Sequence, residues 1–142
     1  MKYVPLVLAL LFAQPAIADS AVSAEEWQYL QRVNVVSSVN QQLWKAFEDS
    51  GGWNADLARY AQQATRLNVR SLRSWKPPAR QLFPFHSSLV EVLAQMERFY
   101  GALADRNFGQ AEQIGARVRS DMLDVESSWA KIQHRYAAPA SR

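Results

Sequence analysis

The chain has 142 residues, no cysteine and a formal net charge of +3 at neutral pH. Without cysteine, disulfide bonds, thiolate metal sites and an N-terminal lipid attached through cysteine are excluded. Sixteen Lys and Arg against thirteen Asp and Glu give a balance too weak to indicate nucleic acid as a partner.

Residues 1–18 have the pattern of an export signal. Lys2 supplies a positive charge, residues 3–13 are apolar, and Ala-Ile-Ala at 16–18 fits a cleavage site. The alternative, a retained membrane anchor, needs more apolar residues to cross about 30 Å of hydrocarbon as a helix. We therefore expect cleavage, a single periplasmic or secreted domain over residues 19–142, and no stable membrane insertion.

Four segments place apolar residues at alternating spacings of three and four, which is typical of amphipathic helices. The predicted apolar seams are Tyr29, Val33, Val36, Asn40, Leu43 and Phe47; Trp53, Leu57, Tyr60, Ala64, Leu67 and Ser71; Phe85, Leu89, Val92, Met96, Phe99 and Leu103; and Phe108, Ala111, Gly115, Val118, Met122, Val125, Trp129, Ile132 and Tyr136. One such helix cannot bury its own seam. Four in succession predict an all-α, antiparallel up-and-down four-helix bundle.

The predicted connections contain residues that begin and end helices. Gly51 and Gly52 suit the end of the first helix, because glycine adopts a positive φ at little cost. Asn54 and Asn107 are predicted to cap the second and fourth helices through their side-chain oxygens.

The connection after the second helix is rich in proline. Pro77 and Pro78 end that helix, since proline has no N–H to donate and restricts the residue before it. The third helix begins either at Pro84, where a missing N–H is harmless, or at Ser88, which has capping-box spacing to Glu91.

The fourth predicted helix is longer than the third and should overhang its beginning. Trp129 is therefore expected to pack against the proline-rich connection, with Phe83 and Phe85 as its partners. Trp75 projects toward the predicted seam and is expected to pack at the same end of the bundle.

Two seam residues depart from the apolar pattern. A buried amide at Asn40 would fix the register or the choice of partner helix. Gly115 weakens its helix by about 1 kcal/mol relative to alanine. It is expected to admit a large ring, Trp44 or Trp53, at close range.

No arrangement of side chains indicates catalysis or a metal site. Placed on antiparallel helices, His86 and His134 should lie about 12 Å apart along the bundle axis, so they cannot share a proton or a metal. Each is predicted to be a surface or bundle-end residue. The carboxylates fall mostly outside the seams, and the Glu-x-x-His motif of di-iron bundles is absent. We expect no enzymatic activity and no metal or cofactor.

The terminal segment "IQHRY", together with the export signal and the central Pro-Pro, resembles exported four-helix cytochromes of the b562 type. The resemblance implies a haem held in the bundle, with His134 as one ligand. Two features depart from that family. Residues 19–50 contain no methionine for the second ligand, and His134 stands two residues before Tyr136 where the family has three.

The stretch from Leu57 to Val90 contains six cations and no carboxylate. Four of its arginines fall within about 60° on one side of the second predicted helix, away from the predicted seam. This arginine stripe consists of Arg59, Arg66, Arg70 and Arg73. It could dock an acidic protein face, lipid phosphate or a cell-wall polymer. The alternative is that acids of the first helix neutralise it inside the fold: Glu25, Glu48 and Asp49.

These features predict a non-enzymatic exported protein that binds a protein or an anionic envelope component, with an accessory, inhibitor, immunity or chaperone-like role. The partner-binding residues would be those of the arginine stripe. The alternative is a bundle that holds haem or another small molecule between its helices.

Overall fold

A computed structural model describes residues 22–51 and 54–137 of the chain. The predictions made for residues 1–18, Trp53 and the side chain of Tyr136 lie outside the described residues. Within them the chain forms four α-helices, one 3-10 turn and no strand, which is consistent with a four-helix bundle. The helices are α1 (Ala24–Asp49), α2 (Ala55–Ser74), α3 (Phe83–Ala104) and α4 (Phe108–Ala137), with the 3-10 turn at Arg80–Leu82.

The first helix begins with a capping box. Ser23 Oγ accepts from the Glu26 backbone N–H at 3.1 Å, and the Ser23 N–H donates to Glu26 Oε2 at 2.9 Å. After the helix ends, Gly51 adopts φ +87°, the left-handed conformation predicted for this turn.

Both predicted asparagine caps are confirmed. Asn54 Oδ1 accepts from the Leu57 N–H at 3.0 Å, and Asn107 Oδ1 accepts from the Gln110 N–H at 3.2 Å. Each bond satisfies one of the backbone donors that a helix start leaves without an internal partner.

The proline-rich connection is extended and then turns into α3. Trp75 follows the last residue of α2 with φ −87° and ψ 135°. The 3-10 turn buries Leu82 completely and leads directly into α3, which begins at Phe83 with Pro84 in its first turn. The start near Pro84 is therefore confirmed, and Ser88 lies inside the helix.

The predicted seams of α1 and α3 are buried throughout, and so is the seam of α4 from Ala111 to Ile132. Phe108, the first residue of α4, is an exception at 38% exposed. The described core therefore follows the predicted periodicity in three of the four helices.

The predicted seam of α2 is wrong. Tyr60 and Leu67 are 62% and 63% exposed, and Ser71 is exposed as well. The buried face is rotated by about one residue and consists of Ala58, Ala61, Thr65, Val69 and Leu72. The prediction followed the large apolar side chains of α2. The helix instead packs through a face made mostly of small residues, which lets it lie close to its neighbour.

Close approach is evident where α2 meets α3. Ala58 and Ala61 are fully buried, and a Cβ added to Gly101 of α3 would lie 2.6 Å from Gln62 Nε2. Small residues allow two helix backbones to come near each other. In the same way, Gly115 of α4 faces the ring of Phe99 and not that of Trp44, one of the two rings predicted there. The other predicted ring, Trp53, lies outside the described residues.

The first helix is held mainly by large side chains that reach α3. The rings of Phe47 and Tyr100 are 6.3 Å apart, and those of Tyr29 and His86 are 5.8 Å apart. Asn40 is buried, but its Nδ2 donates to the Val36 carbonyl of its own helix at 2.8 Å. That bond is local, so it does not fix the register between helices.

The end of the bundle near the connection is closed by aromatic packing. The rings of Phe85 and Trp129 are 5.2 Å apart, as predicted, whereas Phe83 is 42% exposed. Among the described residues, no helix is long and apolar enough to cross a membrane.

Candidate functional site

All four members of the arginine stripe are exposed on α2. The corrected seam leaves them on one flank of α2, between the side packed against α3 and the side open to solvent. Two members use that proximity to form ion pairs across the helices. Arg59 Nη2 lies 2.6 Å from Asp105 Oδ1, and Arg66 Nε lies 2.7 Å from Glu97 Oε1.

Half of the stripe is therefore neutralised, but not by the acids of α1 that the sequence suggested. Glu97 lies in the second half of α3 and Asp105 directly follows that helix, whereas the expected partners were on α1. These exposed pairs contribute about 0–1 kcal/mol each. Their main effect is to remove Arg59 and Arg66 from the surface charge that a partner would meet.

Arg70 and Arg73 form no ion pair among the described residues. Within residues 22–51 and 54–137, neither guanidinium has a carboxylate or hydrogen-bond partner. Arg73 lies in the last turn of α2, where a cation also interacts favourably with the helix dipole. Arg70 is one turn from that end, on the outer face.

Two large apolar side chains lie on the same outer face as Arg70. Tyr60 and Leu67 are seven residues apart, which places them on one side of the helix, and Leu67 is three residues from Arg70. Sequence reasoning assigned both to the core and so missed this exposed pair. We call the surface made by Tyr60, Leu67 and Arg70, with Arg73 at its border on the flank toward α3, the outer face of α2.

A buried histidine links three helices at the connection end. His86 of α3, 9% exposed, receives a hydrogen bond at Nδ1 from the Tyr29 hydroxyl of α1, with the two atoms 2.8 Å apart. Its ring also hydrogen-bonds the backbone of Leu72 in α2. Sequence reasoning placed His86 at this end of the bundle but did not find these bonds.

Burial decides the protonation of this pair. It lowers the pKa of His86 below its ordinary value, and the hydrogen bond to Leu72 only partly opposes that. Burial also raises the pKa of the Tyr29 phenol, which therefore stays protonated and donates to the imidazole. His86 is thus a neutral structural acceptor with both ring nitrogens occupied.

A cleft of about 490 Å³ opens beside the hydrogen-bonded pair of Tyr29 and His86, and Tyr29 is one of its lining residues. One wall is the beginning of α1, from Glu25 to Arg32, and the other is the chain from Ser74 to Pro78. The Arg32 guanidinium carbon lies 5.6 Å from the centre of the Trp75 ring. We call this the connection cleft. In the sequence, the Trp-Lys-Pro-Pro run at residues 75–78 is the feature that marks its position.

A second groove, of about 450 Å³, lies between α3 and α4 and carries Glu91, Asp121 and Asp124. Asp121 accepts a hydrogen bond from Gln95 Nε2 at 2.8 Å. In the described part of the chain, no group of three or more His, Asp or Glu side chains is placed to hold a metal ion.

Comparison of the chain with protein-family models, with curated proteins and with solved structures finds no match. Two surfaces of the described residues combine apolar side chains with cations that form no ion pair: the outer face of α2 and the connection cleft.

Proposed function

We propose that this chain is a non-enzymatic, exported four-helix-bundle protein, with antiparallel up-and-down helices, that binds the acidic surface of another protein through the outer face of α2. One observation carries the proposal. Arg70 and Arg73 stay exposed and without an acidic partner among the described residues, whereas the neighbouring Arg59 and Arg66 are paired within the fold.

The apolar residues beside the free arginines favour a protein over a polyanion. Tyr60 and Leu67 are each more than 60% exposed. A lipid phosphate or a cell-wall polymer would be recognised by the arginines alone. Protein interfaces combine aromatic and apolar anchors with arginine, and the arginines pair with carboxylates on the partner.

The test is affinity capture from the cell envelope with the wild-type chain and with Arg70→Glu/Arg73→Glu. The matched control is Arg117→Glu/Arg119→Glu, which makes the same change in charge at exposed positions of α4. Arg66 is left intact because its reversal would set two carboxylates together at Glu97 and disturb the fold.

We expect the α2 variant to lose the partner and the α4 variant to keep it. Tyr60→Ser/Leu67→Ser should also lose the partner, because the apolar anchors are gone while the charge is unchanged. Equal recovery with both charge-reversal variants would overturn the proposal. Loss with the arginine variant but full recovery with Tyr60→Ser/Leu67→Ser would identify the partner as a polyanion instead.

The second candidate function is small-molecule binding, and the connection cleft is the observation that favours it. The haem form of this candidate has a direct test. Haem added to the purified chain should give a Soret band that depends on His134, and a spectrum identical to that of free haem would end the haem form of this candidate.

A further inference from the structure

Proline residues stiffen one wall of the connection cleft, and a helix cap stabilises the other. Pro77 and Pro78 fix φ and supply no N–H, so the chain after α2 cannot coil back as a helix. Pro77 is buried and anchors this wall, while Pro78 is exposed. The opposite wall is the first two turns of α1, which the capping box at Ser23 stabilises. A cleft of about 490 Å³ lies in the range of small-ligand sites.

Two cations of the cleft are available to a ligand. Arg32 and Lys76 line it from opposite walls, and neither forms an ion pair with a carboxylate in the described parts of the chain. Arg32 lies over the Trp75 ring, a contact that positions a guanidinium without using up its hydrogen-bond donors. Each wall thus contributes one cation to the cleft.

One carboxylate in the same cleft limits the charge of that anion. Glu25 lines the wall on α1 and has no ion-pair partner within residues 22–51 and 54–137. It would repel a phosphate dianion more strongly than a monoanionic carboxylate. It can also accept a hydrogen bond from an amide N–H, and so can the side chain of Gln28.

The remaining surface of the cleft suits an apolar side chain. Trp75 is half-buried, and its ring forms an apolar wall with Pro78. The other polar groups nearby are already engaged. The Tyr29 hydroxyl donates to His86, and Ser74 Oγ donates to the Ser71 carbonyl.

We propose that the connection cleft binds the free carboxyl terminus of a short peptide that ends in an apolar residue. The carboxylate lies between Arg32 and Lys76, the terminal amide N–H faces Glu25, and the last side chain packs on Pro78 and on the part of the Trp75 ring that Arg32 leaves uncovered. This site is separate from the outer face of α2 and does not depend on the function proposed for that face.

The test titrates the purified chain with acetyl-Gly-Gly-Phe and with its C-terminal amide, by calorimetry and by NMR of the Trp75 indole N–H. We expect saturable binding of the acid and at least about tenfold weaker binding of the amide, since one charge-assisted contact is lost. N-acetyl-phenylalanine should bind more weakly than the tripeptide, because it lacks the preceding peptide N–H groups, from which the Gln28 side chain can accept a hydrogen bond.

Two variants and a control locate the site. Lys76→Gln and Arg32→Gln should each weaken binding of the acid about tenfold. Arg117→Gln, an exposed position on α4, should leave it unchanged. Lys76→Gln gives the cleaner result, because its side chain is exposed on the connection and the fold does not depend on it.

Several results would overturn the inference: equal affinity for acid and amide, no saturable binding of either, or equal loss with Arg117→Gln. If N-acetyl-phenylalanine binds as tightly as the tripeptide, the peptide assignment is wrong and the ligand is a free acylated amino acid. If inorganic phosphate displaces the acid at equal concentration, the cleft is a general anion site and the proposal fails.

Discussion

Two buried tyrosines show how differently one hydroxyl can be placed. The Tyr29 hydroxyl is hydrogen-bonded to His86, whereas the Tyr100 hydroxyl is fully buried and has no hydrogen-bond partner among the described residues. A buried hydroxyl without a partner costs about 1–3 kcal/mol of desolvation, and a paired one contributes about 1 kcal/mol net. The same side chain therefore stabilises the fold in one place and weakens it in another.

Removing each hydroxyl should change stability in opposite directions. Tyr29→Phe leaves His86 Nδ1 without its donor and should lower the free energy of unfolding by about 1–3 kcal/mol. Tyr100→Phe should leave that free energy unchanged or raise it by about 1 kcal/mol. Urea unfolding of both variants measures this, and a larger loss for Tyr100→Phe would contradict the contrast.

The neutral state of His86 makes stability depend on pH. Burial lowers its pKa in the folded chain below the ordinary value of 6.5, so the unfolded chain binds the proton more readily. Stability contributed by the neutral ring is complete above pH 6.5 and is lost as the pH falls toward the folded pKa.

We therefore expect the free energy of unfolding to decrease between pH 7 and pH 5, by at most about 1.4 kcal/mol per pH unit for one proton. His86→Gln should flatten the dependence in this window, whatever its stability at pH 7. Denaturant titrations at several pH values provide the measurement. An equally steep decline in the variant would assign the effect to other groups.

At the scale of single elements, small residues determine which face of a helix packs. The second helix turns Ala58, Ala61 and Thr65 toward the core and leaves Tyr60 and Leu67 in solvent. The fourth helix uses Gly115 in the same way, because its missing side chain makes room for the Phe99 ring. Packing space, and not side-chain hydrophobicity alone, sets the rotation of these helices.

Two glycines of α4 allow this to be tested. Gly109 has no atom within 4 Å of an added Cβ, so Gly109→Ala should raise the free energy of unfolding by about 0.5–1 kcal/mol through helix propensity. At Gly115 the added Cβ would lie 3.3 Å from Phe99 Cε2, a buried ring with little room to move. Gly115→Ala should gain the same stability from helix propensity, but overpacking should lower its free energy of unfolding by about 1–3 kcal/mol.

Thermal unfolding of the two variants gives the comparison directly. The expected order of stability is Gly109→Ala, then wild type, then Gly115→Ala. Equal stabilisation by both substitutions would show that the Phe99 ring adjusts without cost.

At the scale of the whole molecule, the helices are not held equally. The backbone of α3 packs closely against those of α2 and α4. The backbone of α1 lies further from the others, and this helix contacts them through rings and long side chains. Its buried face also includes Ser37 Oγ and Asn40 Oδ1, which have no hydrogen-bond partner among the described residues. Such polar atoms lose hydration without compensation, which weakens the attachment of α1.

We expect α1 to open before the rest of the bundle. Under native conditions, amide hydrogen exchange followed by mass spectrometry should show faster exchange in peptides from α1 than in those from α2 and α3. Asn40→Leu, which removes the buried amide oxygen, should slow exchange in α1. Uniform protection across all helices would show that the chain unfolds as one unit.

The sequence by itself was sufficient for the helical composition, the caps at Asn54 and Asn107, and the buried faces of α1 and α3. Those features follow from local rules: periodic apolar residues, side-chain oxygens that bond nearby N–H groups, and proline that lacks a donor. It also identified the four exposed arginines of α2. The proposed export, location and binding role remain predictions.

Only the tertiary structure decided which of those arginines are free. The ion pairs of Arg59 and Arg66 join residues more than thirty positions apart, so no local pattern on α2 reveals them. The exposure of Tyr60 and Leu67 likewise depends on how closely α2 approaches α3. The connection cleft exists because α1 and the segment after α2 meet in space, and a meeting of distant segments is settled by packing and not by the spacing of residues along the chain.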